Sequence, residues 1–152
     1  MRSLDRVSEL VVREVPIAET RPLRQAVLRP HQTLEELAGH EPPGSYAVAA
    51  FGAEGVVAVG FVVPGGGPGS WRIRGMATAP EARGRGAGAA ILEALVRHAL
   101  DHGATRIWCN ARVRARALYE RGGFRVASDE FELPEIGPHY VMELVRPQQT
   151  GC

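Results

Sequence analysis

The stretch Arg83-Gly84-Arg85-Gly86-Ala87-Gly88 stands between a strand-like run, Trp71 to Thr78, and a helix-like run that opens near Ala89. Three glycines within five positions leave the backbone without side-chain obstruction, so successive N–H groups can converge on one small anion. A helix opening there adds its unsatisfied N–H groups and the positive end of its dipole. The two arginines can meet phosphate oxygens from the sides. This is the physical description of a pyrophosphate cradle.

The rest of the chain limits what such a cradle can serve. At 152 residues it predicts one domain, residues 1–146, with a disordered tail over 147–152. A net charge of +1 argues against a dedicated nucleic-acid binder. All 18 basic residues are arginine, which removes a Schiff-base lysine and a Walker-type lysine. Two cysteines, Cys109 and Cys152, make neither a disulfide framework nor a metal site, so a reducing, cytoplasmic compartment is predicted and no metal. The charged N-terminus lacks a signal peptide's apolar core, and the longest apolar run, Val56 to Val63, is too short for a membrane span.

Patterning predicts a first strand over Val7–Val15, helical segments over Ile17–Leu28 and Thr33–Ala38, and strands over Ser45–Phe51, Glu54–Val63 and Ser70–Thr78. Thr33 and Glu36 have capping-box spacing. Ala89–His102 is the clearest helix. Glu93, Arg97 and Asp101 share its solvent face, which leaves Ile91, Leu92, Leu95, Val96 and Ala99 to be buried, with Gly103 as the cap. A strand over Thr105–Asn110, a helix over Ala111–Arg121 and strands over Phe124–Ala127 and His139–Leu144 complete the chain. The order implies a mixed α/β domain on one central sheet.

Read as Gly84-x-Gly86-x-x-Ala89, the loop fits a dinucleotide fingerprint in its loosest form. However, Ala79–Ala82 separates it from its strand, the next strand ends in Asn110 rather than an acid, and only one βαβ unit follows. Read as Arg83-x-x-Gly86-x-Gly88, it resembles the acetyl-coenzyme A motif of the GCN5-related N-acetyltransferase (GNAT) superfamily. Gly75–Glu81 resembles that family's fourth strand and its exit, and Ile107–Asn110 its fifth strand. Ala117-Leu118-Tyr119-Glu120-Arg121-Gly122-Gly123-Phe124 resembles its second motif. Glu130-Phe131 with Gly137-Pro138-His139 is similar to an ElaA-like branch of small members. The resemblance implies an α+β domain with a mixed, mostly antiparallel sheet flanked by helices, and acetyl transfer from acetyl-coenzyme A to a small-molecule or peptide amine. A homodimer is compatible with it. A non-catalytic acyl-coenzyme A sensor would keep the same loop.

The resemblance further implies that the acetyl carbonyl and pantetheine arm run along Met76, Ala77 and Thr78, with an N–H near Met76 or Ala77 as oxyanion donor. The pyrophosphate would rest on Arg83, Gly84, Arg85, Gly86, Ala87 and Gly88. Tyr119 would contact the donor and act as general acid, since a phenol near ~10 keeps its proton until a thiolate near ~8.5 develops. Its alternative is plain core packing. Asn110 is either a contact to the pantetheine arm or a turn former. For the base, His139 and Glu130 are candidates, with Glu36, Glu41 and Tyr46 on the opposite wall. Arg72 and Arg74 share one face of their strand and either bind a substrate carboxylate or sit in solvent. Arg112, Arg114, Arg116 and Arg121 either reach the adenosine phosphate or are solvated. Cys109 reads as a small buried hydrophobe, which disfavours an acyl-cysteine route.

Overall fold

A computed structural model describes residues 10–146. The beginning of the expected first strand and the tail over 147–152, with Cys152, lie outside the described residues. Four strands, β1 (Val11–Glu14), β2 (Tyr46–Gly52), β3 (Gly55–Pro64) and β4 (Ser70–Thr78), succeed one another as antiparallel neighbours. Then come β5 (Arg106–Arg112), β6 (Arg125–Val126), β7 (Phe131–Leu133) and β8 (Gly137–Val145). The sheet order is β1-β2-β3-β4-β5-β8-β6, with β7 also on β8, and β4–β5 is its single parallel pair. One parallel pair is no dinucleotide-binding sheet.

Helices α1 (Arg21–Leu28) and α2 (Leu34–Ala38) cover one face; α3 (Ala87–Asp101) and α4 (Arg116–Arg121) cover the other. The buried stripe of α3, Ile91, Leu92, Leu95 and Ala99, packs on Val48, Ala50, Val62 and Ile73 of the sheet. Each of its large side chains contributes about 1.5–3 kcal/mol by leaving water. At the end of α3, Gly103 and Ala104 donate to the Leu100 and Ala99 carbonyls, closing the helix as the sequence predicts. Thr33 and Glu36 form the reciprocal capping box at α2.

Several boundaries differ from the sequence reading. A 3-10 turn occupies Ile17–Thr20, and the α-helix begins only at Arg21, because the Pro22 ring would strike the carbonyl four residues before it. β5 runs past Asn110 to Arg112, since β8 pairs with it residue for residue from Arg106↔Val145 to Arg112↔His139. That delays α4 to Arg116, behind a 3-10 turn over Val113–Ala115. β7, absent from the sequence reading, is a three-residue strand made by its partner β8 rather than by its own pattern.

The pairing of β3 with β4 is irregular at one place. Val59 pairs with Ala77 and Phe61 with Arg74, so Gly75 and Met76 stand opposite Gly60 alone. This is a β-bulge. Gly75 takes φ +66°, and a Cβ there would lie 2.8 Å from Phe61 Cε1 and 3.0 Å from Arg24 Nε. The bulge inverts the side-chain alternation of β4. Ile73 packs on the α3 side, yet Ala77, four residues on, packs on the α1 side.

Candidate active site

β4 and β5 are neighbours only from Ser70↔Arg106 to Arg72↔Trp108. Beyond that, β4 stays with β3 and β5 with β8, so the two strands part. The opening is a cleft of about 630 Å³. One wall is Ile73 to Thr78, the other Cys109 to Arg112, with Val27 and Leu28 of α1 at one side and Leu118, Tyr119 and Arg121 of α4 at the other. Because β5 has left, the cleft-side backbone groups of β4 after Arg72 have no strand partner. Five arginines, Arg74, Arg83, Arg112, Arg114 and Arg121, line the cleft, and no Asp or Glu does. The cleft is therefore built for a polyanion.

The glycine loop closes one end. Gly84 and Gly86 both adopt the left-handed region, φ +84° and +82°, which turns successive N–H groups to one side. Gly86 is the N-cap of α3, with no side chain capping the helix, and the N–H groups of Ala87, Gly88 and Ala89 meet no backbone carbonyl. Arg83, Gly84, Gly86, Ala87 and Gly88 all line the cleft. Arg85 is exposed and lies outside that lining. A pyrophosphate fits this end on the orphaned donors alone.

Met76, Ala77, Thr78, Asn110 and Tyr119 also line the cleft. Asn110 is a strand residue paired with Val141, so the turn-forming alternative does not apply. Tyr119 is buried and packs edge-on against Phe124 with ring centroids 5.5 Å apart, near the Cys109 thiol. It is at once a core residue and part of the cleft wall. Burial pushes the phenol well above its ordinary value, with Cys109 adding to the effect. The same burial pushes the Cys109 thiol up to about 12, so it is a protonated thiol and no ready nucleophile.

The candidates for the base are scattered. Glu130 is exposed ahead of β7 and lines no part of the cleft. His139 of β8 is buried, pairs with Arg112 of β5, and has Nδ1 2.8 Å from the Gly137 carbonyl; it does not line the cleft either. Glu36 is spent on the α2 cap. Tyr46 lies on the α3 face, stacked on His98 at 3.6 Å, because the alternation of β2 turns it there. Glu41 lies between Arg21 and Arg24, at 2.7 and 2.6 Å. Burial works to raise its carboxyl, but hydrogen bonds from both arginines outweigh it and hold the group below the ordinary carboxylate range. Arg24, Arg29 and the long-range partnership with Glu41 are what sequence reasoning missed. No local spacing could reveal a pair formed across a helix and a loop.

An open sheet whose parallel pair diverges over a polyanion cleft, with a glycine loop at a helix N-terminus, defines an acyl-coenzyme A-dependent acetyltransferase. The chain belongs to the Acetyltransferase (GNAT) family, whose family model matches residues 6–124. It is 29% identical over 140 residues, 88% of this chain and 94% of the relative, to the uncharacterized N-acetyltransferase YitI of Bacillus subtilis (strain 168). In fold it is similar to Escherichia coli ElaA, with TM-score 0.73 at 15% identity over 90% of this chain and 99% of that one. An aminoglycoside 6'-N-acetyltransferase complexed with coenzyme A gives TM-score 0.75 at 14% identity, over 93% and 99% of the two chains. Among the described residues no helix is long and apolar enough to cross a membrane.

Proposed function

We propose that the protein moves the acetyl group of acetyl-coenzyme A to an amine by direct attack, with Tyr119 as general acid toward the departing sulfur. The observation that carries this reading is the single cleft that joins the orphaned N–H groups at the start of α3, the unpaired edge of β4 after the bulge, and the Tyr119 hydroxyl. Gly84, Gly86, Ala87 and Gly88 hold the pyrophosphate through backbone N–H groups, and Arg83 neutralises it from the side. The β4 edge at Met76, Ala77 and Thr78 pairs with the amides of the pantetheine arm as a neighbouring strand would. One of its N–H groups, at Met76 or Ala77, supplies the oxyanion donor. Asn110 faces that arm from β5.

Tyr119 keeps its proton in the resting site and gives it to negative charge developing on sulfur. Desolvation raises a buried thiol in the same direction as a buried phenol, which keeps the two matched. With no carboxylate in the cleft lining, the amine yields its proton to water. Cys109 takes no covalent part.

The test is a thermal-shift comparison of acetyl-coenzyme A with NAD, followed by thiol release from acetyl-coenzyme A across an amine panel. Acetyl-coenzyme A at about 100 times its Kd adds about 2.7 kcal/mol of stability. Stabilisation by NAD in its place, with no thiol release, would sink the reading.

A further inference from the structure

Arg74 and Gly75 belong to the walls of two cavities, the donor cleft and a second of about 260 Å³ on the α1 face of the sheet. Arg24, Arg29, Gln32, Leu37 and His40 close the second over Phe61, and no Asp or Glu lines it. The bulge at Gly75 is where the two meet. The charge here is out of balance. Glu41 is hydrogen-bonded to Arg21 and Arg24 and acts on Arg74 only at a distance, as the smallest of the influences on it. Arg74 lies over the Phe61 ring at 5.6 Å and donates only to the His40 carbonyl, at 3.2 Å. Arg29 meets neither an acceptor nor a carboxylate among the described residues. Arg72, next along the same face of β4, lies over Trp108 at 4.9 Å and keeps a buried Nε with no partner.

The buried donor without an acceptor, rare in a folded chain, is Arg72 Nε, which flanks the two cavities without lining either. Desolvation first, then mutual repulsion, pulls Arg29, Arg72 and Arg74 below the ordinary guanidinium range. An anion entering the pocket would relieve both costs at once.

We infer that the acceptor amine carries an anionic oxygen group, a carboxylate or a phosphate, held by Arg29 and Arg74 with Arg72 beside them. The inference rests on the acetyl-transfer reading, whose site it completes. Guanidinium forks match both groups geometrically. The same positive charge disfavours an ammonium nearby, so an acceptor anchored by its anion presents a neutral amine without a carboxylate base. That supplies the nucleophile the donor cleft lacks.

The experiment records the guanidinium Nε–Hε signals of ¹⁵N-arginine-labelled full-length protein saturated with coenzyme A. Succinate, its neutral counterpart succinamide, and inorganic phosphate are titrated separately. Succinate or phosphate is expected to shift the Arg29 and Arg74 signals while succinamide leaves them in place. Whichever anion acts distinguishes the carboxylate from the phosphate source. Arg29→Gln should weaken the effective anion about tenfold, the loss of one charge-assisted contact, and Arg29→Lys should recover part of it. Silent signals with both anions, equal shifts with succinamide, or an unchanged affinity in Arg29→Gln would overturn the inference. The backbone amides of Arg83 and Arg85, labelled in the same sample, report coenzyme A binding at the glycine loop. If they do not move, the donor reading fails; if they move and the arginines stay silent, only this inference fails.

Discussion

Tyr119, the proposed general acid, is also a buried side chain of the core. Its ring packs on Phe124, and no hydrogen bond among the described residues holds its hydroxyl, so the ring carries the packing. Tyr119→Phe should therefore fold normally and still bind acetyl-coenzyme A within about twofold. Turnover should fall by about a hundredfold, the scale of a lost general acid. Steady-state kinetics with parallel titration of the donor separates these, and an unchanged kcat would remove the assignment. Cys109→Ala tests the complementary point. Turnover within about threefold of the parent, with no acetylated protein by mass spectrometry, is expected for a thiol held protonated at about 12.

At the scale of elements, the bulge in β4 carries more of the design than any helix. It turns Ala77 to the opposite face from Ile73, opens β4 away from β5, and stands where the two cavities meet. Gly75→Ala would place a methyl 2.8 Å from Phe61 and 3.0 Å from Arg24, on backbone at φ +66°. A loss of about 1–3 kcal/mol is expected, several degrees of Tm by calorimetry. Gly84→Ala, where a Cβ meets nothing within 4 Å, should cost only the conformational strain, about 1 kcal/mol. If Gly84→Ala proves the more damaging to stability, the account of the bulge is wrong. The glycine loop, β4 and the amphipathic stripe of α3 were legible because each depends on neighbours in sequence. β7 and the last two residues of β5 were not, because β8 creates them by pairing.

For the whole molecule, the balance of charge governs both stability and binding. Arg24 and Glu41 are buried together, with side chains 6% and 5% exposed. Glu41→Gln leaves Arg24 unpaired among other arginines, and urea denaturation at pH 7 should show a loss of about 3–5 kcal/mol. The Glu41 carboxyl is held below its unfolded value near ~4.3, so its contribution is present above that pH and fades as pH falls through the lower folded value. Wild type should accordingly lose more stability on acidification below ~4.3 than Glu41→Gln does. Donor binding obeys the same field. Five arginines and no carboxylate line the cleft, so the Kd for acetyl-coenzyme A should rise at least about threefold by 1 M salt, where screening acts within ~3 Å. A salt-independent Kd would contradict a cleft built on charge.

The sequence by itself determined the glycine loop proposed to hold the donor. A glycine loop at a helix start writes its chemistry in consecutive residues, because backbone N–H groups and left-handed turns are local matters. Only the tertiary structure decided the arginine pocket proposed to hold the acceptor. Arg29, Arg72 and Arg74 are brought together by a helix end, the alternation of one strand and the register of a bulge, and Glu41 is withdrawn from them by a contact twenty residues from Arg21. Tyr46 and His139 illustrate the same limit. Strand alternation and pairing fix which face each meets, and those depend on packing that no short spacing encodes.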